Sequence, residues 1–196
     1  MKTTVPLILA SKSPRRQRLL REAGFEFEVI VRPVEEQVVG HLTPREVALR
    51  IAEDKARAYS DLSQNHLIIT ADTIVVLDEH ILGKPSHAAE ATRMLQQLSG
   101  RSHEVISAVC LYHQNHLHSF SERTEVCFRE LEAEEIQHYI THYRPFDKAG
   151  AYGIQEWIGM VGISGIRGDY YNVMGLPLAG LYRELKSFPK GVVLQV

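Results

Sequence analysis

The chain has 196 residues, 44% of them hydrophobic and 23% charged, which is enough apolar material for one sizeable core and too much for a disordered polymer. A formal net charge of −2 leaves no global positive field to hold long DNA or RNA, so any anion site has to be a local cluster. Cys110 and Cys127 lack CxxC spacing and read as core thiols, and no apolar run has membrane length or a signal-peptide pattern; a disulfide scaffold, a zinc site and a membrane span are excluded, and a cytoplasmic setting is expected.

In chain order, Val5 to Ala10 reads as a buried strand that runs into Ser11-Lys12-Ser13-Pro14-Arg15-Arg16. Ser13 is a good N-cap, and Pro14 fits the first helical position, where a missing N–H is harmless. The helix carries Leu19, Leu20 and Ala23 inward and ends at Gly24. Its N-terminus offers N–H donors and partial positive charge, to which Ser11, Arg15 and Arg16 add more, the chemistry that an oligophosphate needs. An ordinary capped helix with a solvated basic face has the same pattern.

Phe25 to Val31 alternates as a half-buried strand and leads to Glu35-Glu36, carboxylates placed where α/β proteins bind ligands and where surface acid is also common. Thr43-Pro44-Arg45-Glu46 is a capping box, so a helix is expected from Pro44 to about Tyr59 with Val47, Ala48, Ile51 and Ala52 inward. One further turn brings Lys55 onto that face. Either its stem covers the core with the ammonium in water, or the ammonium enters a pocket that holds an anion.

Leu67 to Leu77 is the strongest strand signal, and Asp72 sits in its middle. A carboxylate in such a run is costly unless paired, hydrogen-bonded or bound to a cation, so Asp72 is either a metal ligand or general base at a strand bend, or part of an Asp72-Thr73 turn between two short strands. Asp78-Glu79 makes the next turn, and Gly83-Lys84-Pro85 holds a lysine on a tight backbone path, a point charge for phosphate. This is no Walker A loop, because the earlier glycine is missing and Pro85 replaces the Ser/Thr. Ser86 is expected to cap a helix with Ala88, Ala91, Leu95 and Leu98 inward, ending at Ser99-Gly100.

Val105 to Tyr112 and Leu117 to Phe128 form a hairpin across His113-Gln114-Asn115-His116, whose histidines read as exposed turn residues. Glu132 to Tyr143 is an amphipathic helix with Ile136, Tyr139, Ile140 and Tyr143 on one face. After Pro145 comes Asp147-Lys148-Ala149-Gly150-Ala151-Tyr152-Gly153-Ile154-Gln155, small residues around one ring that can stack and one amide that can read a base edge. A glycine-rich surface loop is the plain alternative. Val161 to Tyr171 reads as a strand pair around Gly168-Asp169, and Leu176-Pro177 starts a closing helix through Leu185.

These ordered blocks, with Glu53-Asp54-Lys55-Ala56, Ala71-Asp72-Thr73, Leu98-Ser99-Gly100 and Asn172-Val173-Met174-Gly175-Leu176-Pro177, resemble the Maf family of nucleoside triphosphate pyrophosphatases, once described as septum formation inhibitors. The resemblance covers nearly the whole chain, and Ala149 to Gln155 is similar to the branch acting on dTTP and UTP. It implies one α/β domain over residues 1–196, a twisted mixed β-sheet flanked by helices, bilobed around a central cleft, and often a homodimer. It also implies Arg15, Thr73 and Gln155 as specificity positions and Asp72 as the catalytic base. On that footing, Asp72 with Glu36 would hold a divalent cation (Mg2+, Mn2+ or Co2+) or take a proton from water, and Arg15, Arg16, Lys55 and Lys84 would neutralise the triphosphate beside Ser11. The reaction would split the α–β phosphoanhydride, releasing monophosphate and pyrophosphate. The competing expectations are a non-catalytic nucleotide-binding regulator of cell division and the same chemistry on 7-methyl-GTP. Glu156-Trp157 departs from the family pattern, which has small residues there.

Overall fold

A computed structural model describes residues 1–34, 41–188 and 192–195. The elements in chain order are β1 (Lys2–Thr3), β2 (Leu7–Leu9), α1 (Pro14–Glu22), β3 (Glu28–Val29), α2 (Pro44–Arg57), β4 (Leu67–Leu77), β5 (His80–Leu82), α3 (Ala88–Leu98), β6 (Ser102–His113), β7 (His116–Phe128), α4 (Ala133–Tyr143), a single 3-10 turn (Ala149–Ala151), α5 (Trp157–Gly162), β8 (Ile163–Arg167), α6 (Tyr170–Met174), α7 (Leu178–Ser187) and β9 (Leu194–Gln195). The main sheet has the strand order β3-β2-β4-β6-β7-β8, with β5 on β4. β2 pairs in parallel with β3 and β4, whereas β4–β5 and β7–β8 are antiparallel, so the sheet is mixed as expected. No helix among the described residues is long and apolar enough to cross a membrane.

The chain forms two compact units, one of Met1–Asp72, Ser107–Glu122 and Gly175–Val196, the other of Thr73–Ile106 and Arg123–Met174. In the first, α2 buries Val47, Ala48, Ile51, Ala52 and Ala56, and the Thr70 hydroxyl of β4 donates to the Ala52 carbonyl at 2.6 Å, which fixes the helix against the strand. The α2 capping box is formed as expected, with Thr43 accepting from the Glu46 N–H and Glu46 accepting from the Thr43 N–H. The strand expected over Phe25 to Val31 shrinks to two residues. The Tyr59 hydroxyl accepts from the Arg32 N–H and donates to the Ile30 carbonyl, so a side chain takes the groups that a ladder would have used.

In the second unit, α3 packs on α4 and on the Ala149–Ala151 turn. Its N-cap is His87, which accepts from the Glu90 N–H, while Ser86 donates to the Glu90 carboxylate; Ala88 is exposed, and Met94 joins Ala91, Leu95 and Leu98 inside. The hairpin turn Asp78-Glu79 of this unit, like Gln114-Asn115 of the first, has two residues with positive φ, which matches the twist of the flanking strands. The expected strand pair over Val161 to Tyr171 is one strand, β8, between two short helices; Asp169 turns the chain by accepting from the Tyr171 N–H, and the Asp169 N–H donates to the Thr124 hydroxyl.

Two loop glycines in this unit differ in what they tolerate. Gly150 has φ +67, its N–H donates to the Gly83 carbonyl, and an added Cβ would lie 3.0 Å from the Val75 methyls; at Gly83 nothing lies within 4 Å. We expect Gly150→Ala to lower stability by about 1–3 kcal/mol in denaturant melts and Gly83→Ala to change it by less than about 0.5 kcal/mol, and equal losses would contradict the asymmetry.

Candidate functional site

Beyond β2 the first unit builds a donor-rich junction. Ser11 is buried, and its hydroxyl accepts from the Ser13 N–H at 3.2 Å. Ser13 caps α1 by accepting from the Arg16 N–H, with Pro14 at the first helical position. Arg16 donates through Nε to the Gly175 carbonyl and through Nη1 to the Ala71 carbonyl, both at 2.8 Å, and Nη1 lies 3.5 Å from the Ser11 hydroxyl. The start of α1 is thereby tied to β4 one residue before Asp72. Arg15, next in sequence, is half-buried on the same helix.

The sequence left two questions open here, and the structure answers both. β4 runs unbroken through Asp72 and Thr73, so there is no turn. Lys55 turns inward, and its Nζ donates to Asp72 Oδ1 at 2.7 Å with the two side chains 20% and 14% exposed. A carboxylate in a sheet is thus met by an ammonium from the last turn of α2, which is what a mostly desolvated acid requires. The other Asp72 oxygen takes no hydrogen bond from a described residue. Among the described residues no three His, Cys, Asp or Glu side chains gather as a ready metal cage, and Glu36 lies outside the described residues.

Thr73, Lys84 and Gln155 belong to the second unit, where Thr73 is half-buried and Lys84 exposed. The block leading to Gln155 is held from below by charges. Lys148 is buried, with Nζ 2.7 Å from Asp147 Oδ1 and 3.1 Å from Glu156 Oε1. Glu156 also accepts from the Tyr139 hydroxyl, and that hydroxyl in turn accepts from the Gly153 N–H at 3.0 Å. Burial first and the Glu156 carboxylate second push the Tyr139 phenol far above its ordinary value, so it stays a donor at any working pH. A Cβ on Gly153 would meet Gln155 Nε2 and the Glu156 carboxyl carbon at 2.9 Å, so glycine lets this loop fold on itself. Gln155 Oε1 is shut from solvent and has no hydrogen-bond partner among the described residues.

Glu156, which stood out in the sequence as a departure, is therefore a support of the block, and the sequence reading, which had Lys148 in the block and Tyr139 on an inward helix face, missed that both hold the loop. The signal available was a lysine and a glutamate bracketing a glycine-rich run. Tyr152, expected to offer a ring for stacking, is instead core: its hydroxyl pairs with His103 Nε2 at 2.7 Å and its ring meets Phe128 edge-on at 5.1 Å. His113 is likewise buried rather than exposed, with Nδ1 donating to the His66 carbonyl. Cys110 is buried as expected, whereas Cys127 is half-buried at the β-bulge of β7, and both are free thiols.

The fold is that of an α/β protein with a donor-rich junction where β2 passes into α1. The chain belongs to the Maf family: residues 6–188 match the family described as Maf-like protein. It is similar to proteins named dTTP/UTP pyrophosphatase from Phocaeicola vulgatus (52% identical over 183 residues, 92% of this chain and 95% of the relative), from Porphyromonas gingivalis (47% over 186 residues, 93% and 94%) and from Bacillus cereus (48% over 182 residues, 93% and 95%). Among solved structures it is similar to the Staphylococcus aureus Ham1 protein, with a TM-score of 0.43 and 16% identity over 63% of this chain and 71% of that one.

The His103–Tyr152 pair yields a pH signature. Burial pushes the His103 imidazole from 6.5 down to about 4, so between those values the unfolded chain takes up a proton that the native state refuses. The stability that the neutral His103 contributes is complete above about pH 6.5 and is lost progressively on acidification toward about 4. His103→Gln keeps a partner for Tyr152 without titrating, so Tm should fall less steeply with acidity in the variant than in the parent; identical slopes would contradict the assignment.

Proposed function

We propose that this chain hydrolyses dTTP and UTP to the nucleoside monophosphate and pyrophosphate, with Asp72 as the acid-base centre. The observation that carries the reading is the Asp72 carboxylate, mostly desolvated in β4 and held on one oxygen by Lys55 while the other faces no described donor. Its free oxygen would orient and deprotonate the attacking water, with the Lys55 ammonium as counter-charge on the other oxygen. The polyphosphate would meet the α1 N-terminus, where the donors are the helix N–H groups, Ser11 and the guanidinium of Arg15. Arg16, committed through Nε and Nη1 to main-chain carbonyls, would contribute mainly by charge and by pinning the junction to β4.

The donor set fits a divalent ion in the mode usual for magnesium, which takes one or two carboxylates and completes its shell with water and substrate phosphates. Where that second Asp72 oxygen holds the ion instead of taking the water's proton, Asp72 would supply one ligand and Glu36 the other, as the sequence block proposes. Once bound, such an ion would neutralise phosphate oxygens and lower the barrier to attack on the α-phosphorus. Mg2+, Mn2+ and Co2+ all suit oxygen donors of this kind.

The roles proposed for Thr73, Lys84 and Gln155 rest on the sequence blocks and on their local chemistry. Lys84, exposed beside Gly83, would be a phosphate point charge, and Thr73 a neutral donor. Gln155 carries an unsatisfied buried acceptor, a state that costs about 1–3 kcal/mol until a donor arrives. Thymine and uracil both present an N3–H beside a carbonyl, the pattern a carboxamide reads with paired hydrogen bonds; cytosine has no N3–H. The curated relatives bearing the dTTP/UTP name support the same choice. Free thiols and the sequence composition support a reducing cytoplasm as its place of work.

The test is a nucleotide panel with magnesium, manganese or cobalt, scored for pyrophosphate against orthophosphate. We expect pyrophosphate release with dTTP and UTP and little with CTP; binding without turnover would instead favour the regulator, and preference for 7-methyl-GTP the sister chemistry. Asp72→Asn should cut kcat by about a hundredfold or more while nucleotide affinity changes little. Gln155→Ala should narrow the ratio of UTP to CTP rates by about tenfold and leave pyrophosphate as the product, whereas an unchanged ratio would remove base reading from Gln155.

A further inference from the structure

The exposed face of α4 carries a feature that nucleotide chemistry does not use. His138 and His142 stand one turn apart, and their ring centres are 4.3 Å from each other with planes 32° apart. Residues at this spacing share one helix face. Two imidazoles binding one metal through bonds of about 2.1 Å at right angles would have ring centres about 4.5 Å apart, so the rings already stand at chelating separation. His142 Nδ1 lies 2.8 Å from the His138 carbonyl. A carbonyl only accepts, so Nδ1 carries a proton, and that bond orients the ring and leaves Nε2 as the nitrogen for a metal, as in metal-bound histidines commonly.

The surroundings leave room for water. Both rings line a groove of about 600 Å³ between α3 and α4, together with Glu134, one turn before His138, and Gln96 on α3. Ring separation near a right-angle chelate, nitrogen donors and open remaining positions select copper(II) first and nickel(II) second, ahead of the tetrahedral preference of zinc. We infer that His138 and His142 form a two-nitrogen transition-metal site on α4, separate from any ion at Asp72, with water completing the shell.

Trp157, the single tryptophan, reports on this place, because its ring meets His138 edge-on at 4.9 Å. Untagged full-length protein titrated with copper(II) should show saturable quenching of tryptophan fluorescence at one copper per chain, and electron paramagnetic resonance should show coupling to two imidazole nitrogens. His142→Gln leaves the Trp157 contact in place and should weaken the quenching affinity by about tenfold or more, with circular dichroism unchanged. His138→Ala should remove the two-nitrogen signal. Quenching of equal affinity in His142→Gln, or no saturable quenching in the parent, would overturn the site; neither result bears on Asp72 or on nucleotide hydrolysis.

Discussion

A carboxylate in the middle of a buried strand has to be answered by a cation, and the first unit is arranged around that answer. Lys55 reaches Asp72 only because α2 lies on β4 in one register, set by the Thr70 hydroxyl on the Ala52 carbonyl and by the apolar stripe from Val47 to Ala56. The capping box at Thr43 fixes where that helix begins, and counting turns from there places Lys55 beside the strand. On the other side of Asp72, Arg16 grips the Ala71 carbonyl and so ties the α1 N-terminus to the same point. The desolvated Asp72, its Lys55 counter-ion and the capped start of α1 beside it are thus consequences of two packed helices and one strand.

The second unit solves a different problem, that of holding a short, glycine-rich loop in one shape. Lys148 and Glu156 form a buried pair, with Asp147 on the rim and Tyr139 as a neutral bridge to the Gly153 N–H. A buried pair of this kind adds little net stability against an apolar replacement, but breaking it strands a charge, so it acts as a positional lock. The price of holding the loop so closely is an unsatisfied Gln155 acceptor, an expense that makes sense if a ligand donor completes it.

Legibility followed the strength of local signals. Leu67 to Leu77 was readable as strand apart from the open question of a turn at Asp72-Thr73, because a β-branched run has few alternatives, and α1 and α2 were readable from Ser13-Pro14 and Thr43-Pro44 because capping is local chemistry. Where distant side chains compete for the backbone, the sequence misled: Tyr59 dissolves the strand expected after Phe25, and the stretch from Trp157 to Met174 alternates helix, strand and helix although its glycines and aliphatics suggest a hairpin. Asp72 was visible as an anomaly, and the even choice for Lys55 could not be decided without the register between α2 and β4. His103 and Tyr152 were hidden because a mutual hydrogen bond lets two polar groups behave as core, which no periodicity reveals.

The most direct test of the central claim is a double-mutant cycle on unfolding free energy with Lys55→Met, Asp72→Asn and the pair together. If the ammonium is there to make a desolvated carboxylate tolerable, Lys55→Met alone will destabilise the protein strongly and Asp72→Asn in that background will restore part of the loss, a coupling of about 1 kcal/mol or more. Losses that simply add would mean that Asp72 does not depend on Lys55, and the account of the site built on that pair would fail.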